Sequence, residues 1–502
     1  MPNEIPSPYT SLEHTFAGIG KLKEVQAIAH WDEACMMPSG GGAGRGEALA
    51  TLTSLIHAQS THPSIGEEIN KAEAQNDLST WQVANLREMK RTWIEATAVP
   101  ADLIHAQALA TSVCEQTWRK ARSANDWPAV AGLLGEVVNL SRQHAQALGS
   151  AMDLAPYDAL LETYESDLRT SYVTPLFEDL KAYLPTLLDK VLGVQSAPLP
   201  LTGPFPTTDQ SLLCSDAMQL LGFDFDRGRF DVSHHPFCGG VPDDTRITTR
   251  YENNSFLESF MAICHETGHA LYQQGLPVDW RNQPVGYALG AAIHESQSLL
   301  MELQVCRSRP FVDHIAPDMR ARFGRSETDP AWQSENLYRH ATLVERGYIR
   351  VDADEVTYPL HVILRYEIEV QLINGTLSVE DIPEAWNDAM QRYLGLTTLG
   401  NFADGCMQDV HWFAGLFGYF PTYTLGALGA AQWFATALDQ EPGINGGIAA
   451  GDIKPLLGWL RTNIHGKGRL MSMQPLMESV TGATLDASFL KRHLERRYLG
   501  ER

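Results

Sequence analysis

The amino-acid sequence predicts a mostly α-helical protein that forms one large unit with a small β-sheet. Apolar residues recur at helical spacing from residue 9 to about 190, with few β-branched runs. Only residues 224–251 alternate in the manner of β-strands, and helical spacing returns after them. With 502 residues, of which 44% are hydrophobic, the chain can bury a large core.

The N-terminal part of the chain is predicted to be a series of helices separated by turns. Neither a linker, a low-complexity tract nor a repeat of fixed period interrupts it. We therefore expect a single domain over residues 1–502, with a helical N-terminal subregion at 1–190 and a second subregion at 191–502. The turns between the first helices are predicted at Pro100, 125–128 and Pro156.

One short sheet is predicted near residues 226–251. The segments FDRGRFDVS and TRITTRY alternate as strands do, and the segment HHPFCGGVPDD between them is predicted to be a loop. Side chains two residues apart share one face of a strand, so we expect Asp244, Arg246 and Thr248 to lie together. The sheet therefore presents a polar face.

Charge and cysteine usage limit the partners and the compartment. The chain has 38 basic and 61 acidic residues, a formal charge of −23, which disfavours binding to nucleic acid or to an anionic membrane surface. Its 7 cysteines are scattered singly and include no C-x-x-C pair, which indicates free thiols in a reducing compartment. The N-terminus has no features of a secretory signal. We expect a cytoplasmic protein.

Residues 410–438 contain no Asp, Glu, Lys or Arg, and this run raises the question of a membrane span. It holds a proline and several glycines, and it is flanked by Asp409 and Asp439 instead of basic anchors. A loop and a helix buried in a large core explain the run better. Its aromatic residues also suit the wall of a pocket.

The strongest chemical motif is the H-E-x-x-H sequence at residues 265–269. Four residues make slightly more than one helical turn, so His265 and His269 share a face and can bind one tetrahedral metal. Glu266 projects beside them, where it can act as a base on a water that the metal activates. Because the preceding FMAIC is apolar, the helix is predicted to be buried. The alternative is two structural histidines that bond to backbone groups.

A hydrolytic metal site needs a third protein ligand, and the helix around residues 289–305 offers two candidates. Glu295 and Glu302 both lie at the edge of its apolar stripe, while His294 points nearly opposite. Geometry permits either glutamate, and the short interval after His269 favours Glu295. For each glutamate the alternative is a surface salt bridge. Two histidines and a glutamate form the ligand set of zinc peptidases, which implies amide hydrolysis.

Further motifs accompany this one in a fixed order, and together they resemble the carboxypeptidase Taq family of metallocarboxypeptidases. The resemblance spans nearly the whole chain and includes the N-terminal WDEACMMPSGGGAGRGEALATL and the later GYFPTYTLG. The ordered motifs are HPF at 235–237, D-x-R-x-T at 244–248, HETGH at 265–269, HESQ at 294–297, I-R-x-x-A-D at 349–354 and G-x-x-Q-D-x-H-W at 405–412.

The resemblance implies a zincin-like helical unit with a long deep groove, a homodimer, and stepwise removal of C-terminal amino acids from peptides with broad specificity. It places one divalent metal at the groove floor in the catalytic subregion, and its HESQ motif makes Glu295 the third ligand ahead of Glu302. Zinc is the expected metal, although the same ligand set accepts cobalt or manganese.

A carboxypeptidase must recognise a free carboxylate, which a guanidinium group binds through two hydrogen bonds. The resemblance points to Arg350 for this role. The alternative for Arg350 is a helix-surface pair with Asp354. Arg246 is a competing candidate, but Asp244 beside it is expected to pair with it or to brace a metal-ligand histidine.

Other residues of the family motifs are expected around the substrate. Tyr419 and Tyr423 can donate a phenol hydrogen bond to the developing oxyanion or to the substrate carboxylate, or they can be core aromatic residues. His235, Gln408 and His411 are expected to line the groove, with His411 in contact with the substrate. The residues expected to support the metal ligands are Asp244, Arg246, Thr248 and His294.

Two other functions stay open at this point. The first keeps the chemistry on a similar helical groove but acts as an oligopeptide endopeptidase or a dipeptidyl carboxypeptidase. The second is a non-catalytic helical binding protein, and the intact set of metal ligands and base counts against it.

Overall fold

The structure is a computed structural model and describes residues 6–500. The ends of the predicted domain, residues 1–5 and 501–502, lie outside the described residues. The first ten helices are α1 (Pro8–Cys35), α2 (Gly42–Ser60), α3 (Pro63–Glu73), α4 (Thr80–Ala98), α5 (Ala101–Ala124), α6 (Pro128–Met152), α7 (Pro156–Tyr164), α8 (Thr170–Val194), α9 (Thr207–Leu221) and α10 (Leu257–Gln274).

The second half of the described chain is also helical. Its first helix ends at Leu299, and a π-helical segment, Leu300–Cys306, directly continues it. The helices are α11 (Ala291–Leu299), α12 (Arg309–Arg322), α13 (Ser334–Ala341), α14 (Tyr358–Asn374), α15 (Ile382–Leu394), α16 (Pro421–Gln440), α17 (Gly443–Ala450), α18 (Lys454–Asn463), α19 (Met473–Thr481) and α20 (Ala487–Leu499). The prediction of a mostly helical protein with a small sheet is confirmed.

The predicted turns between the early helices lie where helices end and begin. Asn125 ends α5 in the left-handed conformation, with φ of 55°, which asparagine tolerates better than most residues. Pro128 and Pro156 stand at the starts of α6 and α7, where a missing N–H costs nothing. Pro100 directly precedes α5.

The described residues bury two hydrophobic clusters. The smaller one joins α1 to α4 through side chains such as Tyr9, Phe16 and Met89. The larger one includes Val99 and buried side chains from every helix from α5 to α20. The predicted N-terminal subregion therefore divides between the two clusters, because α5–α8 pack with the second half of the chain.

The sheet lies within the predicted range, in the order β1-β3-β2. Strand β3 (Asp244–Thr249) pairs in parallel with β1 (Gly228–Val232) and antiparallel with β2 (Phe237–Val241). The prediction that HHPFCGGVPDD is a loop is wrong in part, because FCGGV forms β2. Two glycines give this segment little strand propensity, and pairing with β3 decides its conformation.

The uncharged run at 410–438 forms a loop followed by most of α16. This helix packs against α11, and most of its side chains are buried. No described helix combines the length and the apolar character that crossing a membrane requires. The interpretation of the run as a buried loop and helix agrees with this arrangement.

Candidate active site

One groove, with a volume of about 1440 Å³, is lined by all the predicted site residues except Asp244, Arg246 and Thr248. Helices α10 and α11 meet at its centre, and the loop before α16 forms the opposite side. Several further segments complete its walls. Their groove-lining residues include Trp118, Arg122, Tyr164, Phe237, Arg250, Asp352, Tyr358, Asp409 and Arg469.

Three predicted ligands converge at the centre of the groove. His265 and His269 stand one turn apart on α10, with ring centroids 4.9 Å apart. Glu295 on α11 places Oε2 3.9 Å from Nε2 of His265 and 3.5 Å from Nε2 of His269. One ligand atom from each residue lies within 4.8 Å of the other two. This spacing suits three ligands of one metal ion.

Two glycines allow the helices to approach closely enough for this convergence. A Cβ atom on Gly268, inside the H-E-x-x-H motif, would lie 2.5 Å from the carbonyl oxygen of Gln297 on α11. A Cβ atom on Gly426 of α16 would lie 2.7 Å from Cβ of Glu295. Larger residues at either position would push the neighbouring helix away. The ligand set therefore depends on close packing of α10, α11 and α16.

The far nitrogen of each histidine is held by another group, which turns Nε2 toward the centre. Nδ1 of His265 donates to Oε2 of Glu302 at 2.9 Å. Nδ1 of His269 donates to the backbone carbonyl of His294 at 3.1 Å, so His294 orients this candidate ligand through its backbone. Glu302 lies in the π-helical segment and also pairs with Arg307 at 2.8 Å. It is therefore a hydrogen-bond partner of a ligand and does not join the three converging groups.

The charges at the centre favour a bound cation. Burial disfavours protonation of His265, but the carboxylates of Glu295 and Glu302 outweigh burial and raise its pKa to about 10. Burial, together with His294 and His265, holds the pKa of His269 well below its usual value, so this imidazole stays neutral as a ligand must. Two imidazole nitrogens and a carboxylate oxygen thus face one another, and the carboxylates of Glu266 and Glu302 lie nearby. The residues present fit a divalent metal.

Glu266 lies beside these groups and lines the groove, with 8% of its surface exposed. Burial raises the pKa of its carboxyl group to about 7, and His265 opposes this shift. A carboxyl group with a pKa near neutrality can both accept and donate a proton at neutral pH. Its position and its pKa therefore suit a general base.

Arg350 is buried in the groove wall and is 5% exposed. Its Nη2 lies 2.9 Å from Oδ1 of Asp409, and its Nη1 donates to the hydroxyl of Tyr358 at 3.1 Å. Asp409 also pairs with the fully buried Arg365 at 2.5 Å. The alternative of a surface pair between Arg350 and Asp354 is wrong, because Asp354 instead accepts hydrogen bonds from the start of α14 and Arg350 turns inward.

The predicted aromatic residues form a cluster above Arg350. The guanidinium carbon of Arg350 lies 4.9 Å from the ring centroid of Tyr423, and the rings of Tyr423 and Tyr419 are 5.3 Å apart. The hydroxyl of Tyr423 lies 3.3 Å from Nε2 of His411. Burial raises the pKa of both tyrosines, so their hydroxyls stay protonated and can donate. All three residues line the groove.

His235 and Gln408 also line the groove, as predicted. The side chain of Gln408 is occupied by the backbone: it accepts from the N–H of Arg350 at 2.8 Å and donates to the carbonyl of Tyr348 at 2.9 Å. Its visible role is to hold the segment that carries Arg350. His235 belongs to the loop between β1 and β2, and burial lowers the pKa of its imidazole.

Three residues of the sheet do not support the metal ligands, which corrects the prediction for them. Asp244 and Arg246 pair with each other through two hydrogen bonds of 2.9 and 2.7 Å, and Arg246 lies over the ring of Trp31 at 4.3 Å. Thr248 accepts from the N–H of Phe237 at 2.9 Å and so joins β3 to β2. Arg246 therefore contacts α1 through Trp31, and Thr248 bonds within the sheet. Neither side chain is held against a histidine of α10.

Sequence reasoning missed several residues that shape the site. Asp409 follows Gln408 in the G-x-x-Q-D-x-H-W motif, but nothing in the local pattern shows that it binds two arginines. Tyr358 and Arg365 lie on α14, whose buried positions resemble those of any core helix. An arginine within an apolar helix, as at Arg365, is the one available signal, because a buried charge requires a partner.

The chain resembles known proteins along almost its entire length. The family model described as carboxypeptidase Taq (M32) metallopeptidase matches residues 11–498. Thermostable carboxypeptidase 1 of Thermus thermophilus is 39% identical over 492 residues, which cover 95% of each chain.

Solved structures give the same result. Trypanosoma cruzi metallocarboxypeptidase 1 is 39% identical and superposes with a TM-score of 0.95, covering 98% of this chain and 99% of that one. The M32 carboxypeptidase of Deinococcus radiodurans is 32% identical with a TM-score of 0.92, covering 98% of this chain and 100% of that one. Sequence and fold therefore agree on one family.

Proposed function

Because the chain belongs to the carboxypeptidase Taq (M32) family of metallopeptidases and is a metallocarboxypeptidase, we propose that it removes single amino acids from the C-terminus of peptides at one divalent metal. His265, His269 and Glu295 hold the metal. The observation that carries this assignment is the convergence of their three ligand atoms at the centre of the groove. Peptides with many different C-terminal residues are the proposed substrates.

A divalent metal held by these residues would act as a Lewis acid, which would polarise the scissile carbonyl and lower the pKa of the attacking water. Glu266 takes the proton from the attacking water and passes it to the leaving amine, so the same carboxylate serves as base and then as acid. Its raised pKa matches both steps. Glu302 and the backbone carbonyl of His294 hold the two imidazoles in place while the proton moves.

Arg350 is the proposed anchor for the free carboxylate of the substrate. Asp409 holds Arg350 in place, and the Tyr358 hydroxyl fixes its other side. An ion-paired guanidinium at a groove wall is already positioned, so little side-chain entropy is lost when a carboxylate binds. Its donors that point away from Asp409 remain for the substrate.

Tyr419, Tyr423 and His411 are proposed to contact the substrate between the metal ligands and Arg350. Protonated phenols donate hydrogen bonds to a developing oxyanion, and burial makes such bonds stronger than they are in water. His235 is proposed to line the groove farther along, beside the sheet. Gln408 supports Arg350 through the backbone bonds already described.

Zinc is the proposed metal, because two imidazoles and one carboxylate are a common ligand set of hydrolytic zinc sites. Cobalt and manganese bind the same groups. Metal analysis of the protein, purified without chelators, tests this proposal. About one zinc ion per chain is expected, and an alanine at Glu295 should abolish stoichiometric binding. Wild-type metal content in that variant would contradict the ligand assignment.

Peptide hydrolysis tests the polarity of the reaction. A time course on one unblocked peptide should release single residues in order from its C-terminus, and the same peptide with an amidated end should be a poor substrate. Release of dipeptides would favour the dipeptidyl carboxypeptidase alternative, and equal cleavage of both peptides would favour the endopeptidase. A non-catalytic binding protein would release nothing with its metal site filled.

The chain is also proposed to form a single functional domain. It is proposed to lie in the cytoplasm and to form a homodimer. Helices of the first 190 residues supply groove residues such as Trp118 and Tyr164, which supports one functional unit. All 7 cysteines are unpaired, which suits a reducing compartment. Sedimentation of the purified protein tests the dimer, and a mass of one chain at micromolar concentration would contradict it.

A further inference from the structure

Glu165 follows directly after α7 and is completely buried against the start of α11. Its Oε2 accepts hydrogen bonds from the backbone N–H groups of Ala292 at 3.0 Å and Ile293 at 3.2 Å. These N–H groups belong to the first turn of α11, where no helical carbonyl can reach them. A carboxylate 127 residues away in the sequence therefore completes the helix that carries Glu295.

Gly290, the residue before α11, shows how closely the carboxylate approaches. A Cβ atom on Gly290 would lie 2.5 Å from the carboxyl carbon and from both oxygens of Glu165. The backbone of Gly290 is extended, with φ of −160°, so its conformation does not require glycine. The lack of a side chain is needed because the carboxylate occupies that space.

The first turn of α11 controls two parts of the candidate metal site. Glu295 follows Ile293 by two residues and supplies the carboxylate ligand. The carbonyl of His294 accepts the hydrogen bond that orients His269. A shift of this turn would move both a ligand and the group that holds another ligand.

We propose that Glu165 is a positioning residue for the metal site, which it serves by fixing the first turn of α11 and, through it, Glu295 and His269. This inference rests on the proposed role of Glu295 as a metal ligand. Glu165 is not among the residues that line the groove. It acts through its two hydrogen bonds to the backbone of α11.

The surroundings of Glu165 offset part of the cost of burying its carboxyl group. Burial raises its pKa to about 7, while the N–H groups of Ile293 and Ala292 and the nearby Arg469 and Arg91 oppose that shift. The positive end of the helix dipole acts in the same direction as the arginines. The second oxygen, Oε1, is buried and has no hydrogen-bond partner among the described residues. Only the bonded oxygen connects Glu165 to α11.

The test compares alanine and glutamine at this position. Glu165→Ala removes both bonds and is expected to weaken metal binding about tenfold, the lower end of the range for groups that orient ligands. Glu165→Gln keeps an oxygen that can accept both N–H groups and should restore binding to within about threefold of wild type. Metal affinity is measured by competition with a chromophoric chelator. Alanine and glutamine variants that bind metal equally well would overturn the proposal.

Gly290→Ala provides a second route that leaves Glu165 intact. The added Cβ atom should displace the carboxylate and weaken metal binding by about as much as Glu165→Ala. Because both changes break the same contact, the double variant should bind metal no more weakly than either single variant. Losses that multiply in the double variant would contradict action through one contact.

Glu162 is a matched control. It is a nearly buried glutamate on α7, three residues before Glu165, and its carboxylate bonds to Arg169 and to the N–H of Asp167. It makes no hydrogen bond to α11. Glu162→Ala is expected to lower stability while metal affinity stays at the wild-type value. An equal loss of affinity in this control would show a general effect of instability and overturn the positioning role.

Cobalt substitution supplies a spectroscopic measurement that does not depend on turnover. The visible absorption bands of bound Co²⁺ report ligand geometry, so they should change in Glu165→Ala and return in Glu165→Gln. Glu295→Ala distinguishes an error in the proposed metal site from an error in the role of Glu165. If that variant binds metal like wild type, the proposed site is wrong. If it loses metal while Glu165→Ala keeps a wild-type spectrum and affinity, only the positioning role of Glu165 is wrong.

Discussion

The carboxylate of Glu302 lies 2.9 Å from Nδ1 of His265, on the side of the ring away from the candidate metal position. Arg307 pairs with the same carboxylate, and together with His265 it brings the pKa of Glu302 to about 2 although burial alone would raise it. The carboxylate therefore stays ionised and holds His265 in one tautomer and one orientation. Its effect on the metal passes through the imidazole.

Replacement of Glu302 by glutamine should weaken metal binding by about 10- to 100-fold, because an ionised partner of a ligand histidine is lost. Chelator competition measures the affinity. Glu258→Gln, on the same groove and in the first turn of α10, is the control and should leave the affinity unchanged. Equal affinities in the two variants would contradict the role given to Glu302.

Replacement of Glu266 by glutamine should preserve the metal and lower kcat by at least about 10²- to 10⁴-fold, since the proton acceptor is lost while the ligands stay in place. Metal analysis and single-peptide kinetics measure the two effects on one sample. Turnover close to the wild-type value would show that another group accepts the proton.

Replacement of Arg350 by alanine should lower kcat/KM for peptides with a free C-terminus by about 10- to 100-fold, the value of a charged hydrogen bond. Asp409 keeps Arg365 as a partner, so the fold is expected to survive. Metal content should not change, and an amidated peptide should lose much less. If metal content falls together with activity, the arginine is structural.

Replacement of Glu355 by glutamine should lower stability at pH 7 by about 3–5 kcal/mol, because Glu355 is buried with Arg497 at 2.7 Å and His493 at 2.9 Å. Burial would raise the pKa of Glu355, but these two partners outweigh it and hold the pKa well below the usual value of 4.5. The ion pair therefore stabilises the fold above about pH 4.5, and its contribution decreases as the pH falls below that value.

Denaturant unfolding of the metal-free wild type and Glu355→Gln at several pH values tests this expectation. The difference in unfolding free energy should narrow as the pH falls below about 4.5, because only the wild type has a carboxylate to protonate at this position. Metal-free protein is used so that protonation of the metal ligands does not contribute. A difference that grows in acid would contradict the sign of the pKa shift.

The local sequence predicts turns and helix starts correctly where residues adjacent in the chain determine the backbone conformation. The predicted turns at Pro128 and Pro156 lie at helix starts, because proline and the residue before it restrict the backbone wherever they occur. The strand β2 was missed for the opposite reason. Its glycines favour no regular structure, and only pairing with β3 makes the segment extended.

The helical fold class and the pairing of His265 with His269 follow from local sequence alone, because the period of one helix places residues four apart on one face. The sequence left Glu295 and Glu302 both eligible, since seven residues are nearly two full turns and put both on the same side. The tertiary structure decided between them. The crossing of α10 and α11 at Gly268 brings Glu295 to the Nε2 atoms and Glu302 to Nδ1 of His265.

The partners of Arg350 and the support of α11 were also decided by tertiary structure alone. Asp409 is 59 residues from Arg350, and Glu165 is 127 residues from Ala292. Hydrogen bonds and ion pairs act over a few ångströms, so their strength depends on which segments the packed core brings together, whatever the separation along the chain. Helical periodicity is a property of neighbouring residues and can be read directly; the contacts between distant helices cannot.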